Sequence, residues 1–243
     1  MFSEVTIVSE ISAVDYEQLY AELEKEILHF VRKPGEAVSE NALCERFGLS
    51  RTPVRSLLQR LQQNGLVQIF PRRGSLVTRL NLDTINQLIY ERMAVETMVL
   101  RDYISICSPT DVTRVRFLYS QMVHAAEAYP GEGFSPDEFM SADLAMHGEW
   151  FHRQNLSFLW SHLSRPNSSY TRFCMLDLQE GNSVPDVLME HGEMLRLIES
   201  GSVDEIEPLL RKHLYGGVRR LGSRIYTDFA AYFDPFDGEI RTY

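Results

Sequence analysis

Phe47-Gly48-Leu49-Ser50-Arg51-Thr52-Pro53-Val54-Arg55 is the stretch on which the fold turns. Gly48 closes one helix, a short turn follows, and Ser50 is placed to cap the next helix. Pro53 falls in that helix's first turn, where the amides have no partner within the helix. Val54, Leu57, Leu58 and Leu61 give it an inward stripe, and Asn64-Gly65 stops it. Upstream, Ser39 caps a short helix with Leu43, Cys44 and Phe47 inward. Before it, Leu19, Leu23, Ile27 and Phe30 or Val31 recur at helical spacing over about 15–32, and Pro34-Gly35 breaks that run. Downstream, 66–70 and 75–78 read as strands joined by Pro71-Arg72-Arg73-Gly74. Three helices with a tight turn between the second and third, then a hairpin, predict a winged helix-turn-helix over 1–80, with a tail over 1–14.

The charges fall where such a fold meets DNA. Arg51, Thr52, Arg55 and Gln59 lie on the exposed face of the third helix, just after Ser50. The start of such a helix enters a major groove, where Arg pairs bidentately with guanine and Thr or backbone N–H holds phosphate. Arg72 and Arg73 at the hairpin tip reach toward the backbone or minor groove, and Gly74 lets the turn approach closely. The plainer reading is a three-helix core whose arginines only solubilise it. The placing of charge at the helix start and hairpin tip favours double-stranded DNA.

The chain has 243 residues, 44% hydrophobic and 24% charged, which excludes a disordered or collagen-like polymer. Its length allows one large domain or two modest ones. No apolar run approaches the ~18 residues of a membrane span. Residues 1–10 carry acids and no Lys or Arg, unlike a secretory signal, so the expected setting is cytoplasmic. Cys44, Cys107 and Cys174 are far apart, so neither a zinc ribbon nor a redox pair is expected, only free buried thiols. The net charge of −10 hides an asymmetry. Residues 29–80 hold nine Lys/Arg against three acids, a balance of +6, while 81–243 hold 14 against 24. A basic module joined to an acidic one suits a division of labour.

Residues 81–230 read as an all-α bundle of six or seven helices, over about 82–106, 109–129, 136–154, 156–180, 185–200 and 203–230, with an irregular tail over 231–243. Asp143 and His147 share a helix face, four residues apart. His191 lies ten residues before Gly201 and His213 twelve after it, so antiparallel neighbouring helices bring both imidazoles to one height. One carboxylate and three neutral imidazoles suit Zn²⁺, Ni²⁺, Mn²⁺ or Fe²⁺. Spacing alone leaves open that these are ordinary hydrogen-bonded histidines. A carboxylate ligand beside an ion would want a guanidinium clamp, and Arg92 and Arg172 are the candidates. The alternative for Arg92 is an i,i+4 salt bridge to Glu96.

The segments 33–40, 47–55, 58–67 and 71–77 resemble the DNA-binding domain of GntR-family transcription regulators. That resemblance implies DNA contacts by Arg51, Thr52, Arg55 and Gly74. Asn41 stands where some relatives carry an Arg. Residues 139–147, 154–155, 190–201 and 211–214 look like the ligand-binding FCD domain of the FadR subfamily. This likeness implies a metal held by Asp143, His147, His191 and His213, with a small carboxylate docking on it. It further implies a homodimer on a pseudo-palindromic operator, with repression as the default. Two rival readings are a metalloenzyme fused to a DNA-targeting module and an architectural DNA binder with a structural metal. No H-E-x-x-H or nucleophile motif supports the enzyme.

Overall fold

The structure, a computed structural model, describes residues 13–164 and 169–235. The chain divides into two compact units, Met1–Arg79 and Leu80–Tyr243. The first holds α1 (Ala13–Leu28), β1 (Ala37–Val38), α2 (Glu40–Phe47), α3 (Arg51–Gln63), β2 (Val67–Phe70) and β3 (Gly74–Val77). Leu23, Ile27, Leu43, Val54, Leu57, Leu61 and Leu66 form its core. The periodic apolar residues named in the sequence are therefore those that exclude water. α2 is capped by Ser39, whose hydroxyl accepts from the Ala42 N–H, and ends at Gly48 in a left-handed conformation. Ser50 occupies the N-cap of α3, but its side chain makes no capping hydrogen bond.

The wing is antiparallel, in the order β1-β3-β2, with Phe70 opposite Gly74. β1 was not expected. Two residues are too short for alternation to be seen, and its pairing with Ser75 and Leu76 is fixed only in three dimensions. The first helix ends at Leu28 rather than near 32, because Phe30 turns the chain at φ 57° and Val31 faces solvent. Residues 1–12 of the expected tail lie outside the described residues.

The second unit holds α4 (Leu82–Ile106), α5 (Pro109–Ala125), α6 (Pro136–Arg153), α7 (Ser157–Leu163), α8 (Ser169–Glu180), α9 (Val184–Ser200), α10 (Ile206–Leu214) and α11 (Gly216–Leu221). Asn81, Ser108 and Ser135 cap α4, α5 and α6 with their side-chain oxygens. Leu100, Tyr103, Val115, Met146, Trp150, Phe151, Met194 and Leu210 make the main core. Eight helices stand among the described residues where six or seven were expected. The run 156–180 divides into α7 and α8, with Pro166 in the sequence between them; proline supplies no amide to continue a helix. The run 203–230 divides into α10, α11 and two 3-10 turns, with Tyr215 between the helices and Gly222 at φ 49° after α11. The expected irregular tail is paired at its start. The Leu80 N–H donates to the Tyr232 carbonyl, and the Asp234 N–H donates to the Leu80 carbonyl. Residues 236–243 of that tail lie outside the described residues. The three cysteines are free and half-buried rather than buried.

Leu57→Ala is expected to cost about 2–5 kcal/mol, read as a lower urea midpoint. An unchanged midpoint would show that the side chain is not part of the core.

Candidate metal centre and nucleic-acid interface

α6 carries Asp143 and His147 one turn apart, α9 carries His191, and α10 carries His213 just beyond the Gly201 turn. One potential ligand atom from each of the four lies within 4.8 Å of all the others. His147 Nε2 is 3.1 Å from His191 Nε2, which is 3.2 Å from Asp143 Oδ1. The His147 and His191 side chains have no exposure, and that of His213 has 8%. Asp143 keeps 18% and is the open side of the cluster.

The outer nitrogens explain the inner ones. His191 Nδ1 lies 2.9 Å from the Val187 carbonyl, which only accepts, so Nδ1 carries the proton. His147 Nδ1–H donates to Glu96 Oε2 at 2.5 Å, and His213 Nδ1–H donates to Glu190 Oε2 at 3.1 Å. With Nδ1 engaged in this way each imidazole turns its Nε2 inward, and partners of this kind orient metal-ligating histidines. Burial first, then the neighbouring imidazoles, hold His213 well below the usual histidine value. Burial also lowers His191, against the opposing pull of Asp143. Burial would raise Glu96, but Arg92 and then His147 bring it down to about 2. Burial likewise opposes ionisation of Asp143, but the surrounding imidazoles and Arg92 leave it below the usual carboxylate range. Converging lone pairs and a carboxylate, closed in and shielded from water, fit a divalent cation.

A cavity of about 730 Å³, counting its open mouth, is lined by Asp143 and His213. Arg92 also lines it. Its Nε donates to Glu96 Oε1 at 2.5 Å, and its guanidinium lies 5.0 Å from the Tyr170 ring centre. Nη2 is buried with no hydrogen-bond partner among the described residues. Arg92 thus makes the i,i+4 salt bridge and also faces the cavity. Arg172 is buried but is not among the lining residues, whereas Arg220 is. Glu96, Glu190 and Arg220 were not read from the sequence as parts of the site. The available signal was an acid on a core stripe: Glu96 sits between Met93 and Leu100, both buried.

In the first unit Arg51 and Arg55 keep 66% and 63% of their side chains exposed. Ser50, Thr52, Gln59, Arg72 and Arg73 are exposed too. Gly74 adopts φ 98°, which a side chain would strain, so it lets the wing tip turn. Glu40 joins the two α3 arginines, 2.9 Å from Arg55 Nε and 3.8 Å from Arg51 Nε. Arg51 Nη2 also donates to Asn41 Oδ1 at 3.3 Å. Helix start and wing tip therefore present one exposed set of donors, the pattern that DNA contact requires.

The family of bacterial regulatory proteins named gntR matches residues 15–77, and the FCD domain matches residues 87–216, over half of the chain. The chain is a GntR-family transcription regulator with an FCD domain. A regulator from an unstable DNA locus of Streptomyces ambofaciens is 29% identical over 81% of this regulator and 80% of its own length. The transcriptional repressor RspR of Escherichia coli is 24% identical over 82% and 85%. Among solved structures, Escherichia coli McbR/YncC overlays with a TM-score of 0.63 at 16% identity, covering 86% of this regulator and 97% of that chain. The gntR family and the Streptomyces ambofaciens and RspR relatives are named as transcriptional regulators, so the fused-metalloenzyme reading falls. No described helix is long and apolar enough to cross a membrane.

His147→Ala in the regulator is expected to abolish stoichiometric metal uptake, read by elemental analysis after dialysis; full metal content would remove His147 from the ligand set. The metal-free protein should lose thermal stability as pH falls below about 6.5. The unfolded chain then binds protons that His191 and His213, with lowered folded values, refuse. A melting temperature that is flat or rising over that window would contradict the burial of neutral imidazoles. Arg55→Ala should weaken specific DNA binding by about 1–3 kcal/mol in a titration at fixed salt, and unchanged affinity would exclude a base contact.

Proposed function

We propose that the regulator is a cytoplasmic, homodimeric repressor of the FadR subfamily that senses a small carboxylate at a divalent metal. Asp143, His147, His191 and His213 hold the ion, which is Zn²⁺, Ni²⁺, Mn²⁺ or Fe²⁺. The observation that carries this reading is the tethering of all three Nδ1 atoms beside a cavity lined by Arg92. When bound, the ion supplies a Lewis-acidic point for a carboxylate oxygen. Arg92, its Nε fixed by Glu96, offers Nη2 to that carboxylate in a water-poor wall. Arg172 is a weaker candidate for ligand contact, since it does not line the cavity.

In the dimer, two α3 helices read the half-sites of a pseudo-palindrome in double-stranded DNA. Arg51, Thr52 and Arg55 meet base edges or phosphates. Ser50, Gln59, Arg72, Arg73 and Gly74 fix the helix and wing on the backbone. The effector acts by binding the DNA-competent and released states unequally. Repression is supported by the relative RspR, which carries that role in its name.

Metal-loaded regulator should select a pseudo-palindrome from sheared genomic DNA, and a carboxylate metabolite of the neighbouring pathway should release it. A selected site that no carboxylate releases would instead favour an architectural DNA binder with a structural metal.

A further inference from the structure

The cavity beside the metal centre holds a second guanidinium, and its state restricts the effector. Among the described lining residues, the positively charged or chargeable groups are Arg92, Arg220 and the His213 imidazole. Arg92 has Nη2 to spare, but Arg220 is committed. Arg220 Nε lies 3.2 Å from both oxygens of Asp177, and Nη2 lies 2.6 Å from Oδ2. Nη1 is 3.6 Å from Asp186. The backbone is shaped around this pair. A Cβ on Gly217 would stand 2.9 Å from Phe173 and 3.3 Å from Asp177 Oδ2, so a side chain there would press on the phenyl ring and crowd the carboxylate. Phe139, Met140, Phe173, Leu178 and Val187 make much of the remaining wall.

Resting on the reading of this site as an effector pocket, we infer that the cavity selects a monocarboxylate with an apolar body and rejects dicarboxylates, with Asp177 as the specificity-determining residue. The first carboxylate has Arg92 and the metal. A second would have to lie against apolar side chains or the neutral polar Ser164, Tyr170, Thr171 and Ser183, where it meets no counter-charge and an unpaired charge is costly. Its other course is to compete for Arg220 with Asp177, and two carboxylates on one guanidinium repel. An occupied cation of this kind is a device against the wrong ligand. An apolar body instead loses contact with water against the phenyl and aliphatic walls.

The test is calorimetric titration of full-length, Zn²⁺-loaded regulator at neutral pH. The probes are butanoate, hexanoate and octanoate against succinate, adipate and suberate, each pair matched in chain length. The best monocarboxylate should bind roughly tenfold or more tightly than its dicarboxylate partner. Asp177→Asn frees Arg220 with little change of shape and should move that ratio toward the dicarboxylate by roughly tenfold. Equal or tighter dicarboxylate binding by the wild type overturns the inference, and this comparison needs no variant to fold. A folded Asp177→Asn protein with an unchanged ratio overturns the role of Asp177. Binding of neither series at full metal content overturns the ligand class and leaves the metal reading standing. Failure to hold zinc defeats the metal reading itself.

Discussion

The candidate metal centre of the second unit is arranged around three hydrogen bonds from imidazole Nδ1 atoms. A histidine can turn either nitrogen to a ligand, and the choice is made by what the other nitrogen does. Here a buried carboxylate on α4, a helical carbonyl on α9 and a second carboxylate on the same helix make that choice. The Glu96 carboxylate is affordable in a dry interior because Arg92 lies one turn before it and pairs with it. Arg92 is therefore both the counter-charge of Glu96 and the donor that faces the cavity. Removing it would disturb the His147 tether and take that donor from the cavity together.

The same economy of charge runs through the unit that meets DNA. Arg51 and Arg55 are exposed cations near each other, and Glu40 sits between them. Their mutual repulsion is offset without burying either side chain. Asn41 adds a polar contact to Arg51 where a further cation would have crowded it.

Much of this was legible in the sequence because it is local. Helix stripes, the Gly48 stop, the Ser39 cap and the i,i+4 placement of Asp143 and His147 are properties of short windows. His191 and His213 lie ten and twelve residues from Gly201, so two antiparallel helices meeting there bring the imidazoles to about one height. What escaped depends on long-range contact. β1 exists because β3 pairs with it. Glu190 reads as an ordinary acid until His213 is brought to it from the next helix. Arg172 and Arg220 both lie in helical runs, and only packing decides that Arg220 lines the cavity. Pro166, which lies in the sequence between α7 and α8, is the local signal for the division of 156–180.

The most direct measurement is X-ray absorption at the metal edge of the full-length regulator loaded with one Zn²⁺ per chain. Three tethered imidazoles and Asp143 predict a first shell of three nitrogens and at least one oxygen at about 2.0–2.2 Å, with imidazole scattering beyond it. A shell containing sulfur, or one of oxygens without imidazole scattering, would contradict the account.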